Sequence, residues 1–283
     1  MARRPFHDEP MSKIAVWSSR LGLFAFAVAA LSIIIVRSAL LEIVPALATF
    51  AAALVFAGLA ILLSFAAFIV IWRQGLSGLG RALLGLFLGL ALLAYPAYLG
   101  TRAMKLPPIS DITTDPANPP RFEVLARLRP RGRVDYPGPA VATLQRAAYP
   151  DIAPLELDVP VKVAYDAALA LITKRKWFIG DARAPAPGRR EGAIEAVART
   201  PIMGFRDDVV IRVVPLGQGT RIDMRSASRV GTHDFGANAS RIRSLFEDID
   251  DAVSSAPEPR SVPEKKTPPT KKGQPEKRQP AKR

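Results

Sequence analysis

The chain has 283 residues, 26 of them Pro, no Cys, and a formal net charge of +14 at pH 7. The lack of Cys excludes disulfides, thiolate metal sites and a thiol nucleophile. The charge looks like a nucleic-acid footprint until it is divided. Residues 1–106 carry 9 Lys/Arg against 3 Asp/Glu, residues 107–255 carry 21 against 19, and residues 256–283 carry 9 against 3. The middle segment is nearly balanced, so nucleic acid is not an expected partner.

Residues 1–13 form a short basic flank, and 14–106 read as a three-helix membrane anchor. Its apolar runs are Ile14–Val36, Val44–Trp72 and Ala82–Gly100. About 20 apolar residues cross a bilayer at 1.5 Å of rise each, so each run is near or above that length. The first run is too long for the apolar part of a signal peptide and lacks a small-x-small exit before Arg37. Arg3, Arg4, Lys13 and Arg20, with Arg73 and Arg81 of the second loop, stand against Arg37, Arg102 and Lys105. Six cations against three predict a cytoplasmic N-terminus in a bacterial inner membrane, with the C-terminal part in the periplasm. Only Ser32, Thr49 and Ser64 are polar deep within the runs, which argues against a pump or transporter. Gly85 and Gly89 form a GxxxG, which reads as a close helix contact within the chain or between copies. Pro96 predicts a kink or an early end to the third span.

Residues 107–255 read as an α+β domain, with an antiparallel sheet of about four strands and helices on one face. Residues 107–160 hold 11 of the prolines and predict extended chain, with a short helix near Gly138–Ala148. Asp158 is a candidate N-cap for a helix whose buried face would be Val163, Ala167, Ala170 and Leu171. A strand is predicted to begin at Trp177, and Ile194–Thr200 alternates as another. Asp208–Val214 and Arg221–Ser228 form a hairpin around Gly217-Gln218. In its second strand Ile222, Met224, Ser226 and Ser228 share one face, and Arg221, Asp223 and Arg225 the other. Ile242, Leu245, Phe246, Ile249 and Val253 mark a final helix, and residues 256–283 a disordered Pro/Lys tail.

Several runs carry a family resemblance. They are Ser110-Asp111-Ile112-Thr113-Thr114-Asp115, Ile194-Glu195-Ala196, Gly204-Phe205-Arg206-Asp207-Asp208-Val209, Arg225-Ser226-Ala227-Ser228-Arg229-Val230-Gly231 and Asp234-Phe235-Gly236-Ala237-Asn238 with Arg241-Ile242. Over roughly residues 108–250 the chain resembles the domain of unknown function 1499 family. The resemblance implies a bacterial envelope or membrane-tethered domain and brings no activity with it.

The same stretch supplies the candidate site: Arg225, Ser226, Ser228, Arg229, Asp234, Asn238 and Arg241. Asn238 is a candidate N-cap, with Arg241 and Arg243 in the first helical turn, where cations oppose the dipole. Two readings stand. A bound anion (a small molecule, a lipid headgroup or a partner's carboxylate) would compensate the arginines. Alternatively Asp207, Asp208 or Asp234 pairs with Arg225, Arg229 or Arg241, and Arg243 meets Glu247. A scaffold or assembly subunit working through its spans, with oligomers through Gly85 and Gly89, is the rival function. Ser228, His233 and Asp234 contain the residue types of a serine hydrolase, but no catalytic residue is assigned. No cofactor is expected and no metal site either, since Asp111 and Asp115 lack the spacing of a calcium loop.

Overall fold

A computed structural model describes residues 9–38, 42–128 and 135–255. Arg3 and Arg4 of the basic flank, and the expected tail 256–283, lie outside the described residues.

Three helices open the chain: α1 (Lys13–Ser38), α2 (Ile43–Gln74) and α3 (Leu79–Lys105). All three are long and apolar enough to cross a membrane, which supports membrane association. Each outruns its apolar stretch, because polar residues such as Arg73 and Thr101 continue the helical backbone. Pro96 does not end α3, which goes on to Lys105. Arg37, expected in the first loop, belongs to the last turn of α1.

Small residues let these helices close on one another. Ala15, Ser18, Ala25 and Ala29 of α1 are buried, as are Ala53, Ala57, Ala60 and Ala67 of α2. The glycine pair joins α3 to both neighbours. A Cβ at Gly85 would lie 2.7 Å from Ser18 Oγ, and one at Gly89 would lie 2.8 Å from the Ala57 carbonyl oxygen. The buried hydroxyls of Ser32 and Ser64 donate to Val28 and Ala60 one turn back, so they need no partner across the bundle. Gly85→Leu is therefore expected to lower the thermal midpoint of the full chain in detergent, at a cost of about 1–3 kcal/mol or more. Gly100→Leu, with nothing within 4 Å of its Cβ position, should leave it unchanged.

The remaining elements are β1 (Asp111–Thr113), α4 (Val124–Arg127), α5 (Pro139–Ala148), β2 (Leu155–Leu157), α6 (Val161–Lys174), β3 (Phe178–Arg183), β4 (Gly192–Arg199), β5 (Arg206–Leu216), β6 (Gly219–Ser228) and α7 (Ala237–Ser254). Their sheet is antiparallel throughout, in the order β1-β6-β5-β4-β3, with β2 also paired to β6. The two strands beyond the expected four are the three-residue β1 and β2, which come from the Pro-rich stretch. Leu216 pairs with Gly219 around Gly217-Gln218, with Gly217 at φ +58, as the hairpin reading requires.

Alternation splits the sheet into two faces. Ile194, Val209, Ile211, Ile222 and Met224 meet Tyr165 and Ile172 of α6 and Ile242, Leu245 and Ile249 of α7. On the other face Phe122 and Leu125 cover Val197, Val210 and Ala227. Two local expectations need correction. The cap of α6 is Pro160 rather than Asp158, and its buried face is Ala164, Tyr165, Ala168 and Ile172. The large Tyr165 and Ile172 stand seven residues apart and set the rotation, leaving Val163 exposed.

The domain rests directly on the helix ends. In the β4–β5 loop, Met203 and Phe205 pack with Val36 and Ala46. The Arg37 guanidinium donates to the Pro201 and Ile202 carbonyls at 2.7 and 3.1 Å, and Arg199 returns a bond to the Arg37 carbonyl at 3.1 Å.

Candidate functional site

The strand period separates the seven candidate residues. Arg225 and Arg229 project from the face that α4 covers. Arg225, 2% exposed, donates to both Asp111 carboxylate oxygens at 2.9 and 2.7 Å. Its guanidinium lies between the Phe122 ring at 4.7 Å and the Tyr136 ring at 5.7 Å. Burial, with Asp111 adding to it, pushes the Tyr136 phenol up to about 12. Arg229 donates to Asp208 at 2.9 Å.

Ser226 and Ser228 face α7. The Ser226 hydroxyl donates to Asn238 Oδ1 at 2.8 Å, and Asn238 Nδ2 donates to the Ser110 carbonyl and to Ser228 Oγ, both at 3.0 Å. Arg241 donates to Ser226 Oγ at 2.8 Å, to Asn238 Oδ1 and to Asp207. Asn238 is not the N-cap. Gly236 caps α7 at φ +80, and Asn238 is a fully buried pin between helix and sheet. Arg241 is the fifth residue of the helix rather than part of its first turn, and Arg243 pairs with Asp151 instead of Glu247. The structural-pairing reading thus describes four arginines, with Asp111 and Asp151 as partners that local spacing did not suggest.

Asp234 occupies the place an anion would take. Its two oxygens accept the Gly236 and Asn238 N–H groups at 2.9 and 2.8 Å. Burial raises its carboxyl above the usual range, against the lowering by those two amides. His233 Nδ1 accepts the Phe235 N–H at 2.9 Å, which leaves the proton on Nε2 to donate to the Leu106 carbonyl at 3.2 Å. Both ring nitrogens are thereby engaged by backbone. Ser228, His233 and Asp234 do not form a triad.

A cavity of about 700 Å³ lies beside this network, between the end of α3, the β4–β5 loop and the start of α7. Ser228, Asp234 and Arg241 line it; Arg225, Ser226, Arg229 and Asn238 do not. Its other walls were not read from the sequence as a site: Tyr95, Tyr98, Leu99 and Arg102 of α3, Leu47 of α2, and Arg175, Arg199, Met203 and Phe205 of the domain. Arg175 is paired with Asp248 at 2.6 Å, and Arg241 with Asp207. Arg102 differs from both. It donates to the Tyr98 hydroxyl at 3.0 Å, but among the described residues no carboxylate pairs with it, and its buried Nε has no hydrogen-bond partner. No group of His, Cys, Asp and Glu suited to a metal ion occurs among the described residues.

Residues 111–249 match the family described as protein of unknown function (DUF1499). No curated protein matches the chain. The matched DUF1499 segment begins at the first residue of β1 and ends within α7, so it contains the whole sheet, α4–α6 and most of α7. It excludes α1–α3, and with them Tyr95, Tyr98, Leu99 and Arg102. The cavity is therefore shared between the DUF1499 segment and the membrane helices. In the sequence, the clue to the α3 wall is spacing: Tyr95, Tyr98, Leu99 and Arg102 stand at i, i+3, i+4 and i+7 and form one helical stripe.

Proposed function

We propose that this is a membrane-anchored envelope protein whose DUF1499 segment, together with α3, binds an anionic ligand group in the shared cavity. One observation carries the reading: Arg102 brings a cation to a cavity wall without a paired carboxylate, while its neighbours Arg175 and Arg241 have theirs. A guanidinium with open donors in a partly enclosed site is the group that recognises carboxylate or phosphate. Native mass spectrometry of the full chain in detergent tests it. The wild type is expected to retain an anionic species that Arg102→Gln loses at unchanged thermal midpoint. Retention of the same species by that variant would remove the reading.

The six-to-three charge bias supports a bacterial inner-membrane location with the domain in the periplasm. The chain has no Cys, so Ser255→Cys introduces a single thiol at an exposed position. A membrane-impermeant maleimide should label it in intact spheroplasts; labelling only after lysis would reverse the orientation. The rival scaffold reading would have to use helix faces other than Gly85 and Gly89, since Ser18 and Ala57 fill the space in front of them.

A further inference from the structure

The walls of the cavity change character along its length. Tyr95, Tyr98, Leu99 and Arg102 run up one side of α3, and Leu47 of α2 and Met203 and Phe205 of the β4–β5 loop continue the apolar end. Tyrosines on a spanning helix gather at the headgroup level, and an arginine one turn beyond reaches the phosphate layer. The apolar end of the cavity thus belongs at the acyl boundary and its cationic end among the headgroups. Arg199 also lines the cavity, tied through its Nη1 to the carbonyl of Arg37 at the tip of α1. Thr232, Ser240 and Ser244 also line this space.

A free inorganic anion would use only the cationic end. The apolar wall would then line empty space beside a helix long enough to cross a bilayer. An amphiphile uses both ends. A volume of about 700 Å³ also falls within the range of sites that bury a small organic ligand, about 300–1,000 Å³.

We infer that the ligand is an anionic membrane lipid, its phosphate held at Arg102 and part of an acyl chain lying along Tyr95, Leu99 and Leu47. This rests on the anion reading above and names its ligand class. The domain pressed onto the helix ends by Met203 and Phe205 forms the roof, and the bilayer supplies the ligand laterally.

The test uses the full chain in nanodiscs of equal parts phosphatidylglycerol and phosphatidylethanolamine, released into mild detergent for native mass spectrometry. The wild type should keep one phosphatidylglycerol in preference to phosphatidylethanolamine. Arg102→Gln should reduce that retention about tenfold or more, the loss of a charge-assisted hydrogen bond. Arg20→Gln should leave it unchanged; Arg20 lies over Trp17 in α1, outside the cavity. An equal loss in both variants would identify a general lipid annulus and overturn the inference. Displacement of the lipid by an equal concentration of glycerophosphoglycerol, the headgroup without acyl chains, would overturn it while leaving the anion reading in place. Retention of neither lipid nor glycerophosphoglycerol by the wild type would remove both.

Discussion

Asp111→Ala and Arg225→Ala are each expected to cost about 3–5 kcal/mol of stability, because either leaves a buried charge without its partner. Arg225 is 2% exposed and its two bonds to Asp111 are bidentate at 2.9 and 2.7 Å. A third bond runs to the Pro120 carbonyl at 3.2 Å. The pair ties β1, three residues long, to β6, and the strand alone supplies few backbone bonds to hold that edge. The double variant should cost less than the sum of the singles, since it leaves neither charge behind. Replacing both by apolar residues, Asp111→Leu with Arg225→Met, should recover part of the loss by filling the slot between Phe122 and Tyr136. Thermal and denaturant unfolding of the full chain in detergent measures all four variants. A single-variant loss below about 1 kcal/mol would mean that water solvates the pair as it does surface ion pairs.

What was legible in the sequence is what depends on period. The apolar lengths predict three helices, the β-branched run Val209, Val210, Ile211, Val213 and Val214 predicts β5, and Ile242, Leu245 and Ile249 predict the buried face of α7. Alternation also puts Arg225 and Ser226 on opposite faces, so the seven candidate residues divide between the two faces. What it could not give is the cover over each face. The Asp111 partner of Arg225 is 114 residues away and sits in a strand too short to show a period. The face of α6 departs from the expected one because Ala is too small to fix a rotation, and the larger Tyr165 and Ile172 decide it. The cavity has no local signature at all. Leu47, Tyr95, Arg199 and Arg241 come from four separate elements, and only the docking of the β4–β5 loop on α1 and α2 encloses the space between them. Even so, the stripe that Arg102 completes on α3 is readable from the i, i+3, i+4, i+7 spacing.

Glu195→Ala is expected to be as disruptive as the loss of Arg225, for a different reason. Glu195 is fully buried, and its carboxylate accepts from three successive backbone N–H groups. Oε1 takes Glu123 at 2.8 Å, Oε2 takes Leu125 at 2.8 Å, and both oxygens share Val124 at 3.1 Å. Among the described residues the nearest cation is Arg183, at 3.9 Å. These amides are the opening donors of α4, a single turn with no capping side chain of its own. Removing the carboxylate leaves up to three N–H groups without an acceptor, at about 1–3 kcal/mol for each that stays dry. Glu195→Gln keeps the shape but turns an NH2 group toward donors, so an intermediate loss is expected. Hydrogen exchange should locate the damage at Glu123, Val124 and Leu125 before global unfolding. It should also spread to Arg225, because Phe122 precedes this turn and its ring packs against that guanidinium. Glu195→Gln and Asp111→Ala should therefore combine non-additively. Lipid retention at Arg102 should not change in Glu195→Gln, since α4 lies on the sheet face away from α7 and the cavity. A variant that lost both stability and lipid would mean that the two faces of the sheet are coupled, and that the cavity depends on α4 for its shape.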